Sequence, residues 1–348
     1  MIRLTLMSEK HYKLQNHSSL IANKKQKKKR LKLGLALGGG GAKGFAHLGV
    51  LKVLEKHGLK PDYIAGTSAG AIAGAAYAAG KKPQEIEEHF KKTNWQEVVD
   101  FAVPKRGLVR GKIVESQIRY LLSNKSFGEL DIPLSVVAYN LSKMEPVIFS
   151  RGDVASAVRA SISIPGVFSP QIIDGDEFID GAVSIPTPFD IVRKMGADVV
   201  IAVDLFYAEK ITAGPIVKER KLYQDLKKKF IVDELGFLKD FLFPLKWPRM
   251  IRKLLTWIFD KLLYPARVIK ILAGREQLPI TKVMSLTTEI IQNNLAKERL
   301  NNSGAEIKIT PKFLKTDWSN FDQAEKFVKR GERAMEKEIG RLKRLLRT

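Results

Sequence analysis

From Leu33 onwards the chain alternates short apolar runs with segments in which apolar residues return every three or four positions. Leu33-Gly34-Leu35-Ala36-Leu37 is such a run and stops at four glycines, Gly38 to Gly41. Past Gly44 the spacing becomes helical: Leu48, Leu51 and Leu54 share a face, Gly58 stands at the C′ position, and Pro61 lies beyond it. Tyr63-Ile64-Ala65 reads as a second short strand, followed by Gly66-Thr67-Ser68-Ala69-Gly70 and a small-residue helix through Ala79, ended by Gly80. Leu134 to Tyr139 and Pro146 to Phe149 read as paired strands. Asp174-Gly175 is a hairpin turn between Gln171-Ile172-Ile173 and Glu177-Phe178-Ile179, and Asp198 to Val203 is a further buried-type strand. Strand, glycine loop, helix, strand, tight turn and helix is the order of an α/β fold, a mostly parallel sheet with helices on both faces. Towards the C-terminus, helices are expected over 281–300 and 320–346, flanking a strand from Ala305 to Thr310.

Composition narrows the chemistry. The 348 residues include no cysteine, which removes disulfide scaffolds, thiolate metal sites and cysteine nucleophiles. The formal net charge is +23, a value that points to nucleic acid or an anionic membrane until its distribution is examined. Residues 1–32 carry ten Lys/Arg against one acid, 33–205 carry nineteen of each, and 206–348 carry 31 against 17. A neutral body therefore lies between basic ends, and we expect no nucleic-acid partner. Residues 1–32 read as a basic, disordered tail without the apolar stretch of a signal peptide. No window is long and apolar enough for a spanning helix, so the expected location is cytoplasmic, with peripheral membrane association.

Two loops compete to define the site. Gly39 to Gly44 fits the dinucleotide pattern G-x-G-x-x-G, but Asp62, the acid at the appropriate distance, precedes its strand instead of ending it. A Walker A loop fails too, because Lys43 comes before Gly44 and Phe45 stands where Ser or Thr is required. The second loop, Gly66-x-Ser68-x-Gly70, lies between strand and helix, where a nucleophile elbow needs small flanking residues. Ser68 then sits at a helix N-terminus, whose free N–H groups favour developing negative charge.

A serine needs a base, and the five histidines (His11, His17, His47, His57 and His89) all precede residue 90. An α/β-hydrolase places its histidine after the nucleophile and acid, so an orthodox triad is disfavoured and a carboxylate is the better candidate. His47 reads as a packing or surface residue. Asp180 ends the hairpin strand and precedes Gly181-Ala182, which allows a close backbone turn. Asp174 is accounted for by the hairpin turn and Asp153 by an N-cap on Val154 to Ala160.

The set Gly39-Gly-Gly-Ala-Lys-Gly44, Gly66-Thr-Ser-Ala-Gly70 and Asp180-Gly-Ala182 resembles the patatin-like phospholipases, with three spaced motifs in order. Arg159-Ala-Ser-Ile-Ser-Ile-Pro-Gly-Val-Phe-Ser-Pro170 resembles the segment leading to the aspartate in bacterial members. The resemblance spans residues 33 to about 205. It implies a patatin fold and a Ser68–Asp180 dyad that hydrolyses lipid acyl esters, phospholipids among them, with neither metal nor cofactor. In that reading Ser68 is the nucleophile and Asp180 the general base. Gly39, Gly40, Gly41 and Ala69 form the oxyanion hole, and Gly44, Gly66, Gly70, Gly181 and Ala182 support the motifs. Lys43 is expected to face solvent or a headgroup phosphate. Acyl transfer on the same site, and a membrane-binding scaffold without catalysis, are the alternatives.

The domain expectation is a tail at 1–32, a catalytic domain at 33–205, a helical insertion at 206–280 and a helical segment at 281–348 that completes the catalytic domain. The insertion carries eleven of the 29 aromatic residues together with sixteen Lys/Arg against eight acids. That mixture suits an ordinary amphipathic helical subdomain packed on the core, a lid or helical layer contacting an anionic membrane surface, or a homo-oligomer interface.

Overall fold

The computed structural model describes residues 30–93, 100, 109–206, 250, 253, 255–257, 280–313 and 321–347. The expectations for 1–32 and 206–280 lie almost wholly outside these residues.

The apolar runs build the sheet. Strand β1 (Leu33–Leu37) is flanked in parallel by β2 (Tyr63–Thr67) and β7 (Val199–Val203), and β2 in turn by β3 (Leu134–Asn140). Beyond β7 lies a parallel β8 (Ile307–Ile309). Every residue of β1 and β7 is buried, as expected of parallel strands covered on both sides. Antiparallel strands complete the other end: β4 (Glu145–Phe149) pairs with β3, as does β6 (Asp176–Asp180), which also pairs with β5 (Gln171–Ile173). The hairpin turn falls at Asp174 and Gly175, both at positive φ, as the sequence indicates.

Register fixes which side chains face which helix layer. Ala36, Ala65, Val137 and Val200 form one face with Ile191 and Val192 of α6 (Phe189–Lys194). On the opposite face, α2 (Ala69–Ala78) approaches closely enough that a Cβ on Gly74 would meet Ile64 and Leu37. Helix α1 (Phe45–Lys56) follows a 3-10 turn at Gly41–Gly44 and buries Leu48, Leu51 and Leu54. Three helices absent from the sequence expectation are α3 (Pro83–Lys92), α4 (Lys112–Leu121) and α6, and α5 (Val154–Ser161) starts where Asp153 accepts the Ser156 N–H at 2.9 Å. The C-terminal expectation is met by α7 (Ile280–Asn301) and α8 (Ala324–Arg347), with β8 between them.

Candidate active site

The site forms where two strands meet head to head. A strand has two edges, and β4 occupies one edge of β3 along residues 136–140. On the other edge β2 aligns with residues 134–137 and the antiparallel β6 with 138–140. Thr67 lies opposite Val137 and Asp180 opposite Ala138. Ser68, the residue after Thr67, is thereby delivered to the end of the strand that carries Asp180, where its hydroxyl acts to lower the pKa of the Asp180 carboxyl.

The elbow has the strain its role requires. Ser68 has φ 53° and ψ −122°, a region costing about 1–3 kcal/mol for a residue with a side chain. A Cβ on Gly66 would lie 2.6 Å from the Gly70 carbonyl oxygen and 2.7 Å from Ala71, so the sharp turn needs glycine there. Gly70 is held to glycine by a different neighbour: its added Cβ would run into the carbonyls of Leu37 and Gly38 at the end of β1. Gly44 likewise admits Ala69, and Gly181 admits the Val137 carbonyl.

Asp180 is 2 % exposed and Ser68 is 4 % exposed. Burial pushes the Asp180 carboxyl up to about 6, while the nearby Ser68 hydroxyl and the hydrogen bond from the Ala182 N–H, at 2.8 Å, pull the other way. A carboxylate with that pKa is a stronger base than a solvated aspartate and remains mostly ionised at neutral pH.

The glycine loop lies beside the pair, clamped along its first half. Gly38 N–H donates to the Val203 carbonyl at 2.9 Å and Gly39 N–H to the Pro186 carbonyl at 3.0 Å. The Gly38 carbonyl accepts from His47 Nε2 at 2.7 Å, which fixes His47 as the Nε2–H tautomer. His47 is fully buried, its Nδ1 has no partner among the described residues, and burial lowers its pKa to about 4. Among the described residues no hydrogen bond takes the N–H of Gly40, Gly41 or Ala69. The Gly39 N–H, expected to point at the reaction, is instead spent on holding the loop.

Two other expectations change. Lys43 is buried, with Nζ 3.5 Å from Glu289 Oε1 of α7, so it faces neither solvent nor headgroup. Asp62 accepts the Leu33 N–H at 2.8 Å, at the end of the sheet opposite the site. Asp174 is an exposed turn residue, as read from the sequence. Among the described residues, no group of three or more His, Asp or Glu side chains is arranged to hold a metal ion.

Sequence reasoning missed the residues that brace the site. Ser161, Ser163 and Arg159, and the stretch Ile185-Pro186-Thr187, carry no local pattern that marks them. The Ile185 carbonyl accepts from Thr67 Oγ1 at 2.9 Å, and Thr187 Oγ1 donates to Asp204 Oδ2 at 2.7 Å. These contacts join residues far apart in the chain, so no local spacing announces them.

Residues 35–193 match a family model described as patatin-like phospholipase. The chain is 36 % identical over 188 residues to uncharacterized NTE family proteins of Mycobacterium bovis and Mycobacterium tuberculosis, covering 53 % of this chain and 51 % of each relative. It is 33 % identical over 179 residues to the lysophospholipase nte1 of Aspergillus fumigatus, which covers 50 % of this chain and 12 % of that one. It is also 33 % identical over 181 residues to patatin-like phospholipase domain-containing protein 6 of Homo sapiens, 50 % of this chain and 13 % of that one. The chain thus spans about half the length of the mycobacterial relatives it matches. Among solved structures, VipD from Legionella pneumophila aligns with 88 % of this chain and 66 % of its own, at a TM-score of 0.48 and 15 % identity.

Proposed function

We propose that this chain, whose residues 35–193 match the patatin-like phospholipase family model, hydrolyses lipid acyl esters through a Ser68–Asp180 dyad. The observation that carries this reading is the juxtaposition of Ser68 and Asp180 at the junction of β2 and β6, with Ser68 in a strained elbow.

In the first half-reaction Ser68 Oγ attacks the ester carbonyl carbon while its proton passes to Asp180. The carbonyl π pair moves to oxygen, and the N–H groups of Gly40, Gly41 and Ala69 hold that charge at the N-terminus of α2. Collapse breaks the bond to the alcohol or lysolipid oxygen, which leaves with the proton held by Asp180. Water then gives its proton to Asp180 and its oxygen to the acyl carbon. The second tetrahedral species collapses, Ser68 recovers its proton, and the fatty acid departs.

The substrate is a phospholipid or lysophospholipid met at an anionic membrane surface. What supports this is the family, the lysophospholipase relative and the concentration of positive charge outside the neutral body. Among the described residues no helix is long and apolar enough to cross a membrane. Binding to anionic vesicles at low salt, lost at high salt, is the expected outcome of co-sedimentation; equal binding to neutral vesicles removes the electrostatic part.

Ser68→Ala and Asp180→Asn should each lower turnover of a short-chain acyl ester by on the order of 10³-fold or more. Wild-type turnover by either variant overturns the assignment. Comparison of lipid products between wild type and Ser68→Ala identifies the head group and acyl position.

A further inference from the structure

We propose that Ser161 is a positioning residue of this site, its hydroxyl setting where Ser68 stands relative to Asp180. The proposal rests on the reading of Ser68 as nucleophile. Ser161 ends α5, is fully buried, and does not touch the reacting atoms. Its Oγ accepts the backbone N–H of Ser68 at 2.8 Å and donates to the Val137 carbonyl at 2.6 Å. Both of its ligands are backbone groups at the strand junction: Ser68 is the elbow itself, and Val137 lies opposite Thr67 and next to the residue opposite Asp180. One hydroxyl therefore ties the strained elbow to the strand along which the dyad is measured.

The same short segment holds the other partner. Two residues on, the Ser163 carbonyl accepts the backbone N–H of Asp180 at 3.0 Å. Nucleophile and base thus give their backbone N–H groups to one three-residue bracket, Ser161 through its side chain and Ser163 through its main chain.

The bracket is itself anchored. Arg159 Nη1 donates to Ser163 Oγ at 2.6 Å, and that hydroxyl donates to the Arg159 carbonyl at 2.9 Å. The buried guanidinium also reaches the carbonyls of Gly111 at 3.1 Å, Arg110 at 2.6 Å and Ser169 at 3.1 Å. Arg159 is 1 % exposed, so these bonds replace its water and hold the segment rigid.

Loss of the Ser161 hydroxyl leaves the Ser68 N–H and the Val137 carbonyl buried without their partner. The elbow, already off the common backbone wells, then has a lower-energy route away from its strained geometry. A displacement of about 1 Å in a reacting group costs on the order of 10²-fold in rate.

The test uses the full chain with Ser161→Ala, and Ser161→Cys as the variant that keeps the side-chain volume while weakening both hydrogen bonds. Active sites are titrated with a fluorophosphonate that phosphonylates the nucleophilic serine, and turnover of a short-chain p-nitrophenyl ester is expressed per titrated site. The expected result is a ten- to hundredfold fall in kcat per site, with KM within about threefold and slower phosphonylation. Melting curves record how much protein is folded. A purely structural role lowers the number of titratable sites and leaves turnover per site at the wild-type value; that result in both variants overturns the proposal. If wild type takes no label at Ser68, the nucleophile assignment fails first, which is a different outcome from the variants matching a labelled wild type.

Discussion

At pH 7 the Asp180 carboxyl, pushed up to about 6, is mostly ionised, the form the proposed base needs. Turnover should accordingly fall below about pH 6 with a single-proton slope; a profile flat down to pH 4.5 argues against Asp180 as the base. The same group affects stability. Its ordinary value is 3.8, so between pH 4 and 6 the folded state holds the extra proton and Asp180's contribution to stability declines as pH rises. His47 acts in the opposite sense: lowered from 6.5 to about 4, it is neutral when folded while the unfolded chain protonates, so its contribution grows with pH across that window. The two slopes offset each other in the wild type. Asp180→Asn removes one of them and should be more stable than wild type by about 3 kcal/mol at pH 7.5 but not at pH 4, measured by urea melts. An equal difference at both pH values would contradict the burial argument. At this scale the sequence made Ser68 and Asp180 legible because each stands in a local pattern, a serine between glycines and an aspartate before Gly181-Ala182. His47 and Ser161 carry no such mark, since their partners, the Gly38 carbonyl and the Ser68 N–H, are defined only after the chain folds.

Among elements, the eight residues from Asp180 to Thr187 do more than complete a turn. They begin at the base, pass the Ile185 carbonyl to Thr67, pass the Pro186 carbonyl to Gly39, and end with Thr187 on Asp204. The strap therefore touches the elbow, the glycine loop and the end of β7. Thr67→Val removes one hydroxyl and keeps the shape; it should lower kcat about tenfold and melt at lower temperature, while Thr67→Ser, which keeps the hydroxyl, should retain most of both. Equal loss in the serine variant would mean that packing of the methyl group, and not the bond to Ile185, is what matters. The hairpin at Asp174-Gly175 and the strand, turn and helix around Ser68 were legible because turn residues and apolar runs specify them locally. Helix α6, six residues following Pro186 and Pro188, is too short for helical periodicity to register, and α4 shows only two fully buried positions, Ile118 and Leu121. Both are stabilised by what they pack against.

Over the whole molecule, the chain closes on itself where α8 lies along α1. The approach is so close that a Cβ on Gly49 would strike the Val328 carbonyl and one on Gly331 the Ala46 carbonyl. Lys52 and Lys56 add ion pairs to Glu332 and Glu336 at 4.0 and 2.7 Å, both partly exposed and worth little beside the packing. Gly331→Val should therefore destabilise by more than about 3 kcal/mol or prevent folding, read from the urea midpoint, whereas Gly304→Val, with open space around it, should change stability little. The net positive charge, by contrast, was legible only as a distribution. Strand β3 works as a ruler in the middle of the sheet: β2 and β6 are read off against consecutive divisions, Val137 and Ala138, and this sets where Ser68 and Asp180 stand. A slip of one division shifts a reacting group by about 3.4 Å, more than a hydrogen bond can follow. The Ser68–Asp180 spacing is thus a whole-number property of a backbone ladder, set by register and intolerant of a single inserted or deleted residue.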